Sequence, residues 1–503
     1  MTGGKISPAA SRFPQSPLRE AVKPPLFVPV FYETTVLLKI VSFFKTKSLE
    51  IVFLLCYIML VTANLEVPMI EILKRLMLEF QNRNLEHIAC RELVFPVLDG
   101  KATVITGMRR TGKTSFCYRK MLELTAGGLN RNQILYLNFE DDRLTPFKLE
   151  NCQSILDAYY SLYPDNREKE CYFFFDEIQN VEGWEHFVRR LIDTTDIHVI
   201  LTGSSSKMLA TEMESTMRGR SISKEVLPFS FVEFLKYHHV FETIPEHLSD
   251  DDIAHLRHEM DRYFHIGGFP EIYKYPDLAA RIEILQEYSD LVVLKDVIER
   301  HEVSNVTALR LLLKAVYQSD ARKFSVTGFW KILSNGMQVK CSKNDLFDFM
   351  NYLEEACIVY RTSILSDSEK ANLVNPSKVY LVDVGLVRAM AEDPEANKGW
   401  LLENLVYLHL RRQKYTLNYI NTSDGKEVDF HAFNKITRDK KLVQVSWSVS
   451  DPETRKREIE PLVKAGRKLG IKKRLLITWD EEETAEDGVQ IIPIWKYLIE
   501  PCP

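Results

Sequence analysis

Residues Gly107-Met108-Arg109-Arg110-Thr111-Gly112-Lys113-Thr114, followed by Ser115, match the pattern G-x-x-x-x-G-K-[ST]. The two glycines let the backbone curl so that its N–H groups converge on phosphate oxygens, and the start of a following helix adds partial positive charge. Lys113 then reaches the β- and γ-phosphates, and the Thr114 hydroxyl ligates Mg²⁺. The chemistry implied is binding and hydrolysis of ATP. It needs a second carboxylate-bearing element, and the run Tyr172-Phe173-Phe174-Phe175-Asp176-Glu177 supplies one. Asp176 is placed in the Mg²⁺ shell, and Glu177 polarises the attacking water, forming the catalytic set with Lys113.

The elements that must position these residues are legible around them. Ala102 to Thr106 is a short β-rich run before the glycine loop, and Ser115 to Leu124 has helical spacing after it. Tyr172 to Phe175 reads as a strand buried on both faces, and the C-terminal edge of such a sheet is where ligands bind. Further strands are expected over Ile134 to Phe139, His198 to Thr202 and Ser221 to Leu227, and a helix over Met69 to Asn84. Thr202 or Ser204, at a strand tip, is a candidate sensor of the γ-phosphate. Arg218 and Arg220 are candidates to neutralise transition-state charge on a neighbouring copy's nucleotide, with surface salt bridging the plainer alternative.

The order GMRRTGKT, FFFDEIQ, LTGSSSKML, RGRSISKEVLPFSFVEFL, GGFPE resembles the archaeal-type AAA+-like P-loop ATPases of many prokaryotes, which join such a core to a C-terminal region of unknown function. The resemblance runs from about Met69 to the C-terminus. It implies an α/β fold with an AAA-type parallel sheet, in which an extra strand lies between the glycine-loop strand and the Asp176 strand. The division expected is an N-terminal extension (1–66), a P-loop ATPase core (69–235), a helical lid (236–300), a winged-helix-like module (301–395) and a restriction-endonuclease-like domain (396–503). In that last domain an active site would use Asp429 with a downstream acid-x-Lys, and the matching positions here are Gln444 and Ser446. Nuclease activity is therefore not expected, although Lys440 or Lys441 would be the nearest substitutes for the lysine; Glu403, Glu427 and Asp429 are taken as surface acids.

Composition sets the remaining bounds. The 503 residues carry 65 Lys+Arg against 70 Asp+Glu, so no global charge draws the chain to nucleic acid or to an anionic membrane. The eight cysteines form no C-x-x-C pair, which fits a reducing, cytoplasmic setting. The exposed face expected for the module's recognition helix carries Asp345, Asp348, Glu354 and Glu355 against Lys343, so contact with a protein partner is favoured over contact with nucleic acid. The function expected is a Mg²⁺-dependent ATPase whose nucleotide state rearranges its C-terminal domains on an unknown partner. The alternatives are a nucleotide-gated scaffold with negligible turnover and a DNA-processing ATPase. Membrane contact is not expected: the apolar run Ile51 to Ala63 is shorter than the ~20 residues a spanning helix needs. Three readings of residues 1–66 stay open, namely translation from a start upstream of a true beginning at Met69, a membrane anchor and a secretory signal. On the first, a chain beginning at Met69 stays in solution and binds ATP with the affinity of the full chain; aggregation or loss of nucleotide in an equilibrium binding assay would make the extension structural.

Overall fold

Phe173 and Phe175 are buried against one layer of helices and Phe174 against another, so the aromatic run is the middle of a three-layer sandwich. The computed structural model describes residues 68–503 apart from 86–87, 90, 95, 205–216, 218, 338, 367, 369–374, 394–397, 423, 486 and 501–503. The expectations for residues 1–66 and for Arg218 lie outside the described residues.

The first sheet contains β1 (Ala102–Thr106), β2 (Ile134–Asn138), β3 (Cys171–Asp176), β4 (Ile197–Thr202) and β5 (Ser221–Glu225), all parallel, in the order β2-β3-β4-β1-β5. β4 lies between the glycine-loop strand and the Asp176 strand, the insertion the resemblance implies. Helices Met69–Gln81, Cys152–Leu162 and Trp184–Thr194 cover one face, and helix Lys113–Ala126 covers the other. Cys117 and Cys171 pack inside as small apolar residues.

Helices Phe231–Tyr237, Asp250–Ile266 and Leu278–Val292 follow, and the last continues into a π-helical stretch, Val293–Glu299. Next come helix Val306–Tyr317, β6 (Lys323–Phe324), helices Val326–Ile332 and Lys343–Glu355, β7 (Val359–Thr362) and β8 (Ser377–Leu381), with an antiparallel sheet ordered β6-β8-β7. Ser342 begins the second of these helices with a capping box to Asp345, as its sequence position requires.

Helices Val384–Met390 and Lys398–Arg412 lead into β9 (Tyr415–Asn421), β10 (Glu427–Asn434) and β11 (Lys440–Val445). Helix Pro452–Leu469 comes next, then β12 (Lys473–Thr478), β13 (Glu483–Thr484), β14 (Gln490–Pro493) and helix Ile494–Leu498. These six strands form one mixed sheet, ordered β13-β14-β12-β11-β10-β9. Glu403 and Asn404 lie inside helix Lys398–Arg412. No helix among the described residues is long and apolar enough to cross a membrane.

One apolar core joins these parts. It contains Met108 of the glycine loop, Phe231 and Phe264 from the helices after β5, Leu309 and Leu353 from the three-stranded module, and Leu405 and Trp495 from the C-terminal region. The Gly267-Gly268-Phe269-Pro270 turn is where the parts meet. Gly268 N donates to Asp383 Oδ2 at 2.6 Å, and Gly268 O accepts from Phe229 N at 2.7 Å. A Cβ on Gly268 would lie 2.5 Å from Phe229 O, a backbone atom that cannot swing aside. Gly268→Ala should therefore destabilise the protein by about 1–3 kcal/mol in urea denaturation; an unchanged midpoint would show that the junction yields freely.

Candidate functional site

β1 ends at Thr106, and the chain turns through Gly107 at φ 143° and Gly112 at φ 93° into helix Lys113–Ala126. Both angles favour glycine. At Gly107 a Cβ would also sit 2.3 Å from Val226 O, because β5 runs directly alongside. Thr111 Oγ1 donates to Met108 O at 2.9 Å and pins the loop's curvature. Lys113, buried, donates through Nζ to Gly107 O at 3.0 Å and Met108 O at 3.2 Å, and lies 3.9 Å from Glu177 Oε1.

The carboxylates sit at the C-terminal end of β3. Asp176 is buried and accepts from Thr114 Oγ1 at 2.7 Å, from Tyr136 Oη at 2.7 Å and from Thr202 Oγ1. Burial, then the neighbouring Glu177 charge, raises its carboxyl above the ordinary range, and the three hydroxyls oppose that rise. Thr202 Oγ1 also accepts from Glu177 N at 3.0 Å, which fixes the backbone of a residue in the left-handed region at φ 53°. Gln179 Nε2 donates to Glu177 Oε2. Thr114 and Asp176, a hydroxyl and a carboxylate in contact, are the hard oxygen donors that suit Mg²⁺, an ion that takes few protein ligands and keeps phosphates and waters for the rest.

A cavity of about 740 Å³ opens beside the loop, lined by Arg109, Arg110, Gly112, Lys113, Thr114, Ser115, Glu140 and Glu177. The lining also includes Ile88, Ala89, Phe229, Tyr237 and Pro270, together with Lys274 and Lys295 from the helical segment. Met108 and Thr111 of the loop are fully buried and are not among the residues that line the cavity.

Of the other sequence candidates, Ser204 is fully buried and donates to Asp296 Oδ1 at 2.5 Å, so its hydroxyl engages the helical segment and not the cavity. Arg220 is brought to a different place. Its carbonyl accepts from Ala102 N at the start of β1, the far end of the sheet, so the length of a five-residue strand, roughly 15 Å, separates it from the glycine loop. There it pairs with Asp193 at 2.9 Å, the surface salt bridge that was its alternative. Arg220 is thus no part of this chain's own site.

Three functional contacts have no signature in sequence. Tyr136 reaches Asp176 from β2. Arg91 donates to Thr111 O at 3.0 Å and to Glu233 Oε1 at 2.8 Å, tying the glycine loop to the capping carboxylate of helix Phe231–Tyr237. Asp296, buried in the π-helical stretch, takes Ser204 on Oδ1 and Arg109 Nε on Oδ2 at 2.8 Å, while Arg109 Nη1 donates to Glu140 at 2.6 Å. Burial works against the Arg109 charge, but Asp296 and Glu140 outweigh it and raise its pKa. In the structure, Asp296 lies in an irregular π-helical stretch, a local geometry that gathers at functional positions.

The far domain corrects two expectations. Glu403 and Asp429 are buried, not surface acids, and the lysine beside them is neither Lys440 nor Lys441 but Lys378 of β8. Lys441 instead donates to Gln413 Oε1 at 3.4 Å, and Lys440 stacks over Phe433.

The parallel sheet, the glycine loop and the Asp176-Glu177 edge define a P-loop NTPase of the AAA class. Residues 99–235 match the AAA domain family model, and residues 257–397 match a domain of unknown function, DUF8612. An uncharacterized protein of Methanocaldococcus jannaschii is 31% identical over 422 residues, covering 81% of this chain and 90% of its own length. An uncharacterized protein of Haemophilus influenzae is 28% identical over 397 residues, covering 79% and 94%. The chain belongs to this family of AAA-domain proteins. Among solved structures, the Aeropyrum pernix ORC1 protein in complex with DNA aligns over 65% of this chain and 92% of its own at 13% identity, with a TM-score of 0.29.

The Asp296 contacts yield a prediction. Asp296→Ala leaves Ser204 unpaired and strips Arg109 of its buried partner, so stability should fall by about 3–5 kcal/mol in urea denaturation, with Asp296→Asn losing less. Equal midpoints for Asp296→Ala and the parent would show that this junction holds nothing together.

Proposed function

We propose that this protein is a cytoplasmic, Mg²⁺-dependent ATPase that uses its nucleotide state to move the helical segment after β5 and, through it, the C-terminal domains against a protein partner. The observation that carries this reading is Glu177, held beside Lys113 on the wall of the cavity by Thr202 and Gln179. On this reading the nucleotide's phosphates take Arg109, Arg110, Lys113 and the loop N–H groups, and its base takes the apolar lining residues Ile88, Phe229 and Pro270. With triphosphate present, Lys113 exchanges its loop carbonyls for phosphate oxygens and Glu177 accepts the proton of the attacking water. Thr114 and Asp176 would hold Mg²⁺, which supplies charge neutralisation at the β- and γ-phosphates. Thr202, in contact with Asp176 and Glu177 together, is the sensor candidate that the geometry favours.

Coupling runs through Arg109. A guanidinium shared by Asp296 and Glu140 is available to compete for phosphate, and its transfer loosens Asp296 from the loop while Ser204 still holds it to β4. The segment 293–299 then changes its attachment with nucleotide state. A scaffold with negligible turnover is the second reading, favoured by Arg109 being engaged in ion pairs and by Arg220 lying at the far end of the sheet.

The C-terminal assignments rest on topology. Helix–strand–helix–helix–strand–strand with sheet order β6-β8-β7 supports a winged helix, and helix–three strands–helix–strand within 398–478 supports an endonuclease-like core. Acidic residues on helix Lys343–Glu355 favour a protein over a nucleic acid as its contact. Assembly of several copies would be needed for Arg220 to reach a nucleotide.

Lys113→Ala should abolish ATP binding, whereas Glu177→Gln should retain binding and lose about 10²–10⁴ in turnover. Binding by equilibrium dialysis and phosphate release on the same preparations separate the two effects. Parental turnover in Lys113→Ala would overturn the site, and parental turnover in Glu177→Gln would overturn its role in activating water.

A further inference from the structure

Lys378 Nζ lies 2.8 Å from Glu403 Oε1, 2.7 Å from Glu427 Oε1 and 2.8 Å from Asp429 Oδ1, and the lysine is 4% exposed. The ammonium donates to Glu403 and Asp429 and pairs in charge with Glu427. The separations are those of charge-assisted N–H···O bonds. The remaining oxygens are mostly taken as well. Tyr380 Oη also donates to Glu403 Oε1 at 2.7 Å, Val445 N donates to Asp429 Oδ2 at 3.0 Å, and Lys323 pairs with Glu427 Oε2.

The other positions where the fold implies a metal ligand or its cationic partner are turned away. Gln444 Oε1 accepts from Asp429 N at 3.1 Å, and its amide donates to Glu458 at 2.8 Å; Ser446 Oγ donates to Ser448 O at 3.0 Å. These side chains do not fit a divalent ion with Lys378 in place, because the point where the three carboxylates converge already holds a cation. Among the described residues no group of three or more His, Cys, Asp or Glu is placed to hold a metal ion.

We propose that the Lys378 ammonium is the resident cation of this carboxylate cluster and occupies the position of a divalent metal. The cluster then joins the β6-β8-β7 module to the six-stranded sheet without metal, since Lys378 comes from β8 while Glu427 and Asp429 come from β10. The idea does not depend on the ATPase reading. It makes the far domain's fold independent of metal and confines Mg²⁺ use to the nucleotide site.

The test is a Mn²⁺ titration of the nucleotide-free full chain, read by the electron paramagnetic resonance of free Mn²⁺. Parent and Asp429→Asn should bind the same number of ions. Lys378→Met should gain one ion per chain, and Lys378→Met with Asp429→Asn should lose it again. A parental site that disappears in Asp429→Asn would overturn the proposal, whether or not Lys378→Met folds. No gain in a Lys378→Met chain with the parental circular dichroism would also overturn it. If Lys378→Met is unfolded without metal, recovery of that dichroism on adding Mn²⁺ supports the proposal, and failure to recover overturns it.

Discussion

Asp176 is the constraint around which the nucleotide site is arranged. Its carboxylate is buried at the end of a strand and takes hydroxyls from the helix after the glycine loop, from β2 and from β4. A buried charge without partners is costly, and three neutral donors offset that cost without cancelling the charge. The same Thr202 hydroxyl that serves Asp176 also holds the backbone of Glu177 in the left-handed conformation. Placement of the metal-ligand candidate and the base candidate is thus a single structural event. Because the donors come from β2, β4 and the helix at 113, three separate crossovers of the sheet must be in register before the site exists.

Around that centre the structure is tied by unlike charges that link one element to another. Arg91 joins the glycine loop to Glu233, Arg109 joins it to Asp296, and Arg411 reaches from helix Lys398–Arg412 to Glu225 of β5 at 2.8 Å. Arg91, Glu233 and Asp296 have side chains almost wholly out of water, where loss of one partner strands the other. Such contacts carry orientation, and they explain how the glycine loop is connected to helices more than a hundred residues away in sequence.

β1 to β4 were legible because parallel strands buried on both faces must be continuous apolar runs, as Tyr172 to Phe175 and Ile134 to Leu137 are. The glycine loop was legible because its backbone angles restrict residue type at Gly107 and Gly112. Tyr136, Arg91 and Asp296 were hidden for the opposite reason: tyrosine in a strand, arginine in a loop and aspartate in an amphipathic helix are ordinary there, and only the packing reveals their partners. Lys378 was hidden by an assumption about spacing. The sequence pattern sought a lysine two residues beyond Gln444 on the same strand, and the fold delivers one from β8 of the preceding module. Arg220 was offered for a neighbouring copy's nucleotide or for a surface salt bridge, and in its own chain it lies a full strand length from the edge where ligands gather, paired with Asp193.

Met108 occupies a middle position of the phosphate-binding motif, yet its side chain is fully buried in the core that also contains Leu309, Leu405 and Trp495. Such positions are ordinarily free to vary, since the loop acts through backbone groups. Here the side chain answers to residues encoded hundreds of codons downstream. A gene fragment ending after the AAA-matching region would strip Met108, Phe231 and Phe234 of most of the core they share, so the ATPase core and its C-terminal partners are inheritable as one piece and not as exchangeable modules.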